Sequence, residues 1–217
     1  TWFPVSENKR ATQLAEQVVD NPQQGLNPLI IVGESDTGKS HLLQAIGQAA
    51  LLTCKHEVYT IHRDELTKIL SFGHSWSDVF AHASMLIVDD IDAASDDEAI
   101  ANALGNIIDT ALNMNVHVIV SSRSMPDSWP ASKLWDILRS GVKTILSQPG
   151  AGSLLSYARN LAVKKSVVLT DEQLALIVTH GEMSWRATKN SLTMVENAIN
   201  NGVELLDNTD VYNLLND

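Results

Sequence analysis

Eight consecutive residues carry the clearest chemistry in this chain: Gly33-Glu34-Ser35-Asp36-Thr37-Gly38-Lys39-Ser40, a complete G-x-x-x-x-G-K-[ST]. Each fixed position answers a demand of a bound triphosphate. Gly33 and Gly38 let the backbone turn so that successive N–H groups face phosphate oxygens, and a following helix would add its positive end. Lys39 would reach the β- and γ-phosphates, and the Ser40 hydroxyl would ligate magnesium, which spreads the charge of the triphosphate. The contact set implied is Gly33, Glu34, Ser35, Asp36, Thr37, Gly38, Lys39, Ser40 and the adjoining His41, with ATP or ADP and magnesium as ligands. Glu34 and Asp36 place carboxylates where a polyanion should sit. They weaken binding unless they point to solvent, and Asp36 tolerates an unusual backbone conformation better than most non-glycine residues.

Downstream, Met85-Leu86-Ile87-Val88-Asp89-Asp90 is an apolar run ending in two acids. A strand of this kind presents a carboxylate to the magnesium beside a phosphate-binding loop, so Asp89 is expected on the metal and Asp90 as general base toward water. Aspartate is one methylene shorter than the glutamate often found in the second position, which predicts slow hydrolysis.

The elements that must hold these residues alternate between strand and helix. Pro28–Val32 reads as a strand, His41–Leu52 as a helix, Glu57–Ile61 and Met85–Asp89 as strands, and Val116–Ser121 and Thr144–Leu146 as two more. Asn8–Val19, Asp64–Leu70 and Asp96–Met114 carry helical spacing, and the stretch with Gly73, His74 and Trp76 reads as a loop. This order predicts an α/β fold, a parallel sheet with helices on its faces. Beyond Gln148-Pro149-Gly150 the β-branched runs thin out. Leu154–Val163, Asp171–His180, Trp185–Asn200 and a last stretch to Leu215 read as helices, with Thr170-Asp171-Glu172-Gln173 as a capping box. The expected division is a nucleotide-binding domain over 1–148 and a small helical lid domain over 149–217.

With 44% hydrophobic and 19% charged residues the 217-residue chain has the makings of a sizeable core. Its longest apolar runs fall far short of the ~20 residues that cross a bilayer, and it shows no secretory leader, so a cytoplasmic place and no membrane contact are expected. Cys54 is the single cysteine and reads as a buried thiol. The 26 acidic residues outnumber the 15 basic ones, giving −11, which opposes attraction to a polyanion and makes DNA contact weak for this segment. His62, His74 and His82 lack the spacing of a metal site. Trp129, Trp135 and Trp185 suit core packing or a partner surface.

The motif order resembles the DnaA/Hda branch of AAA+ ATPases. Asn27-Pro28-Leu29 before the loop, His41-Leu42-Leu43-Gln44-Ala45-Ile46-Gly47 after it, and Val88-Asp89-Asp90-Ile91 are all similar to segments of that family. The resemblance implies an AAA+ sheet and lid, and it implies roles for further residues. Ser121-Ser122 looks like the sensor 1 region, with Ser122 near the γ-phosphate. Arg139 is similar in position to the arginine finger that reaches a neighbouring subunit's nucleotide, and Arg186 resembles the lid's sensor 2 arginine. A guanidinium suits both tasks, though either arginine could equally be a surface residue with a local carboxylate partner. The pattern also departs from the family. Ile61 to Met85 looks shorter and poorer in Lys and Arg than the DNA-contacting region of initiators, Arg123 stands where an acid is expected, and the residues up to Asp217 supply no counterpart of the family's C-terminal helix-turn-helix, so origin recognition is not expected of this segment. Three functions are therefore open: a slow ATPase acting as a nucleotide switch in replication initiation or its regulation, assembling with like or related subunits through Arg139; a non-catalytic adaptor for a protein partner that keeps or has lost its nucleotide; and a helicase-loader-like ATPase on single-stranded DNA.

Overall fold

A computed structural model of the chain describes all residues except 1, 22–24, 54–56, 72–74, 96, 126–127, 130–131, 204–206 and 217, and omits the side chains of 69–71. Cys54, Gly73, His74 and Asp96 lie outside the described residues. Two compact units emerge, Thr1–Pro4 with Asn8–Leu146, and Val5–Glu7 with Ser147–Asp217.

In the first unit, strands β1 (Leu29–Val32), β2 (Glu57–Ile61), β3 (Ala83–Val88), β4 (His117–Ser122) and β5 (Val142–Ile145) pair in the order β2-β3-β4-β1-β5, every pair parallel. Helices α1 (Lys9–Asp20), α2 (Lys39–Thr53), α3 (Trp76–Phe80), α4 (Glu98–Asn113) and α5 (Lys133–Arg139) complete it. Because side chains alternate along a strand, each central strand feeds two cores. Ile30, Val32, Leu86, Val88, Val118 and Val120 pack with α4 and α5, whereas Leu29, Ile31, Met85, Ile87 and Ile119 pack with α1 and α2. The Asn27 side chain extends the β4 pairing below β1: its amide donates to the Val116 carbonyl at 3.0 Å and accepts from Val118 N–H at 2.8 Å.

Several elements differ from the sequence reading. The stretch expected as an α-helix over 64–70 is a 3-10 helix, Arg63–Ser71, and its tight winding begins where Glu65 N–H bonds the His62 carbonyl three residues back. Trp76, expected in a loop, opens α3, which buries Phe80 against Tyr59 and Trp76. Helix α5 was not expected at all; its Leu134, Trp135 and Leu138 are fully buried, and Trp135 lies 4.0 Å from Trp129 between ring centroids, so both tryptophans are core. Helix α4 starts at Glu98 because Asp97 caps it, accepting from Ala99 and Ile100 N–H. Strand β5 begins two residues earlier than expected, at Val142, opposite Leu29.

The second unit is helical: α6 (Ala151–Lys164), α7 (Asp171–Thr179), α8 (Trp185–Asn200) and α9 (Asn208–Asn216) around Leu154, Ala158, Leu174, Ile177, Leu192 and Val211. The Thr170 capping box opens α7, and Ser184 caps α8. Glu7 binds the start of α6, accepting from Gly150 N–H at 2.8 Å and from the Ser153 hydroxyl. These bonds hold its carboxyl at about 2, well below the usual carboxylate range. Among the described residues no helix is long and apolar enough to cross a membrane.

Candidate nucleotide site

Strand β1 is an interior strand between β4 and β5, and Gly33 to Gly38 form the turn from it into α2. Gly33 N–H continues the sheet by donating to the Ser122 carbonyl at 3.0 Å. A Cβ there would lie 2.6 Å from the Leu146 carbonyl oxygen and 2.7 Å from Thr37 Oγ1, so only glycine fits. Gly38 has φ 102 and Asp36 φ 61, the left-handed conformations that turn the loop. The Thr37 hydroxyl donates to the Glu34 carbonyl at 2.9 Å. Lys39 folds its ammonium into the loop, donating to the carbonyls of Gly33 at 2.6 Å and Glu34 at 2.8 Å. Burial pushes that ammonium below the usual lysine range, and the charges of Asp90, Asp92 and Asp89 offset part of the effect. Glu34, Ser35, Ser40 and His41 are exposed, Asp36 is half-buried, and the His41 ring lies 5.8 Å from Trp2.

The alternation of β3 and β4 decides which acids meet this loop. From Met85 on in β3 and from Val118 on in β4, odd-numbered residues face α1 and α2 and even-numbered ones α4 and α5. One step beyond the Val88↔Val120 pair, Asp89 and Ser121 are neighbours on the α2 face. The Ser121 hydroxyl donates to Asp89 Oδ1 at 2.5 Å and accepts from Asp90 N–H at 2.8 Å. Ser122 falls on the other face, its hydroxyl 3.1 Å from Asp92 Oδ1 and 2.7 Å from the Ser124 carbonyl. The hydroxyl bonded to Asp89 is thus that of Ser121, while Ser122, expected near a γ-phosphate, bonds Asp92 and Ser124.

Asp90 breaks the alternation with φ 57 and ψ 60. Arg63 Nη1 bonds its Oδ2 at 3.1 Å, and Arg123 Nε stands 3.4 Å from Oδ1. Asp92 anchors Arg123 in turn, accepting its backbone N–H at 2.7 Å. Arg139, the last residue of α5, bonds Asp136 at 2.8 Å and the Trp129 carbonyl at 2.9 Å within its own chain. Arg186 lies exposed in the first turn of α8, in the second unit.

Comparison with known proteins gives this arrangement a lineage, since the family described as the bacterial DnaA ATPase domain matches residues 1–147. This chain belongs to that family. A relative of the DnaA ATPase domain, the chromosomal replication initiator protein DnaA of Lactobacillus johnsonii, is 26% identical over 205 residues, covering 90% of this chain and 45% of the relative. The chain spans about half the length of the curated relatives it matches. Domain III of the Thermotoga maritima initiator DnaA superposes with a TM-score of 0.88 at 19% identity, covering 100% of this chain and 94% of that one. AMPPCP-bound DnaA from Aquifex aeolicus gives 0.79 at 18% identity over 93% of this chain and 65% of that one. At such identities the likeness is one of fold, the AAA+ arrangement of a parallel sheet flanked by helices and followed by helices.

Within this DnaA-type domain, Ser40 and Asp89 line one cavity of about 350 Å³ between α2 and strands β2 and β3, together with Gln44, Thr60 and His62. A hydroxyl and a carboxylate are the hard oxygen donors that magnesium takes. Among the described residues no three histidine, cysteine, aspartate or glutamate side chains are grouped to hold a metal alone. Ser40 and Asp89 would supply two of the oxygen donors of such a cation. Two participants escaped the sequence reading, Arg63 and Asp92, and Ser121 was named there only within the Ser121-Ser122 pair. Of the first two, Asp92 carried a signal, as a third acid two residues beyond Asp90.

Proposed function

We propose that this chain binds ATP with magnesium on Gly33–Ser40 and uses the nucleotide state as a switch for assembly with like or related subunits, in replication initiation or its regulation. The observation that carries the reading is the convergence of Lys39, Ser40 and Asp89: the loop lysine is already folded against the turn, and the two magnesium-type donors share one cavity. The loop amides and the N-terminus of α2 would take phosphate oxygens, with Lys39 exchanging two carbonyls for the β- and γ-phosphates. Ser121 would keep Asp89 aimed at the metal, whose charge steadies the triphosphate when bound. For hydrolysis, water would form the bond to the γ-phosphorus as the bond to the β,γ-bridging oxygen breaks. The proton of the water would pass to the Asp90 carboxylate, leaving ADP and phosphate. A DnaA of the same fold bound to AMPPCP supports a nucleotide as the ligand.

Arg186 is proposed as the contact from the lid, residues 149–217. Arg139 is proposed to reach a neighbour's nucleotide, which requires it to give up Asp136 and the Trp129 carbonyl. A second reading, a nucleotide-bound adaptor that does not turn over and binds a regulatory or replication protein, draws on the two arginines that engage Asp90. Either way the protein belongs in the cytoplasm, and its charge of −11 keeps any DNA contact of this segment weak.

The test is a thermal-stability titration with ATP and with ADP in magnesium, using Lys39→Ala as control. A ligand at 100 times its Kd stabilises the folded state by about 2.7 kcal/mol. Wild type should be stabilised and the variant not. No shift by either nucleotide at millimolar concentration would leave the loop vestigial and the reading wrong.

A further inference from the structure

The cavity that holds Ser40 and Asp89 has a nitrogen donor on its wall as well as oxygens. Val58, Thr60 and His62 all line it, because alternation along β2 turns Val58 toward the α2 core and Tyr59 toward the α4 core. Register then fixes the neighbour of His62. The β2-β3 ladder ends at Ile61↔Val88, and Asp89 N–H continues it by donating to the Ile61 carbonyl at 2.9 Å, so His62 comes next to Asp89 on the α2 face. The main chain of His62 is held in both directions: its N–H donates to Glu65 Oε2 at 2.9 Å, and its carbonyl accepts from Glu65 N–H at 2.9 Å. The residue is exposed, so an ion in solution can reach it. Two other histidines are placed differently. His82 precedes β3, and its carbonyl accepts from Glu57 N–H at the opposite end of the same strand pair. His41 follows Ser40, yet its ring lies against Trp2 and outside this cavity.

An imidazole changes which ion such a cavity suits. Magnesium takes oxygen donors and keeps much of its water, whereas imidazole nitrogen favours first-row transition ions. We infer that His62 is a third protein donor, beside Ser40 and Asp89, to the cation of the nucleotide site, and that the site therefore prefers a divalent transition ion such as manganese or cobalt over magnesium. His62 and Asp89 are one short of a histidine–carboxylate cluster that holds a metal alone, so nucleotide phosphate oxygens complete the set. The inference rests on the reading of Gly33–Ser40 with Asp89 as a metal–nucleotide site, and it names the cation that this site selects.

The experiment uses the full chain with ADP and reads metal binding, not turnover. Thermal stabilisation by ADP is titrated with magnesium, manganese and cobalt for wild type, His62→Gln and Asp89→Asn. The manganese–ADP complex is also examined by electron spin-echo spectroscopy on protein whose histidines carry the heavy nitrogen isotope, which separates their signal from that of adenine. Wild type should show a histidine nitrogen coupled to manganese, and His62→Gln should abolish it. Glutamine offers an amide oxygen in place of the nitrogen, so magnesium affinity should stay within about twofold. Manganese and cobalt should weaken at least about tenfold, since even the outer partners of a metal ligand are worth that much. The preference of ADP itself among the ions is common to both proteins and cancels in the comparison. Absence of a histidine coupling in wild type overturns the inference, and that measurement needs no variant to fold. A coupling that persists in His62→Gln, or equal weakening of all three ions, also overturns it. Asp89→Asn should lose the metal increment for every ion. If it does not, or if ADP stabilises wild type with none of the three, the metal–nucleotide reading itself fails and the inference falls with it.

Discussion

Replacing Ser121 with alanine isolates one hydroxyl that does two things at once. It donates to the Asp89 carboxylate at 2.5 Å and accepts from Asp90 N–H at 2.8 Å, and the residue is fully buried. A hydrogen bond to a charged group contributes about 1.5–3 kcal/mol and a neutral one about 0.5–1.5 kcal/mol, so the variant should lose about 2–4 kcal/mol if no water replaces the oxygen. Left-handed aspartate is itself unfavourable, so the freed Asp90 backbone would relax and carry the Asp89 carboxylate with it. For a domain of this size each kcal/mol moves Tm by about 2–4 °C, which predicts a drop of about 4–16 °C. The assay is thermal unfolding with ADP alone and with ADP plus magnesium. Ser121→Ala should also lose most of the extra stabilisation that magnesium gives, because Asp89 is no longer held toward the metal. Ser122→Ala is the comparison: its hydroxyl lies on the α4 face with Asp92 and Ser124, so it should lose stability while keeping the magnesium increment. Equal magnesium increments in wild type and Ser121→Ala would refute the reasoning, as would a Ser121→Ala loss below about 0.5 kcal/mol, which would mean that water restores both bonds.

Two further outcomes follow from local geometry. Gly33→Ala would drive a methyl to 2.6 Å from the Leu146 carbonyl oxygen and 2.7 Å from the Thr37 hydroxyl, so isothermal titration should show at least about a tenfold weaker ATP affinity, with Ala at Gly152, where the space is open, as the silent comparison. Glu7 has its carboxyl lowered from 4.5 to about 2, so its stabilising bonds are complete above about pH 4.5 and are lost as pH falls toward 2; Glu7→Gln should cost about 1 kcal/mol at pH 7 and progressively less in that window, read from urea unfolding at several pH values.

What could be read in advance was local. Gly33 to Ser40 and Val88 to Asp90 are contiguous, and their chemistry is written in spacing alone. The five strands announced themselves as short apolar runs. Helix α5 did not, because seven residues bounded by Ser132 and Ser140 are too few for a helical period to show. Which of Ser121 and Ser122 bonds Asp89 was hidden for another reason: β4 is buried on both faces, so its sequence has no polar alternation to say which side faces α2. The Arg63–Asp90–Arg123 contact joins residues brought together only by the order β2-β3-β4, which no single segment encodes.

The position of β1 in that order has a consequence for how the domain is made. Its two neighbours, β4 and β5, come from His117 onward and Val142 onward. A nascent chain that has reached Asn113 carries the entire phosphate-binding motif, yet neither of the strands that flank it. The Ser122 carbonyl that receives Gly33 N–H and the Leu146 residue against which Gly33 is fitted are still to be synthesised. Nonlocal strand pairing of this kind is slow to form. The phosphate-binding loop, though it precedes four of the five strands, is therefore among the last parts of its unit to acquire shape, and a finished ligand site forms only once nearly the whole first unit has emerged from the ribosome.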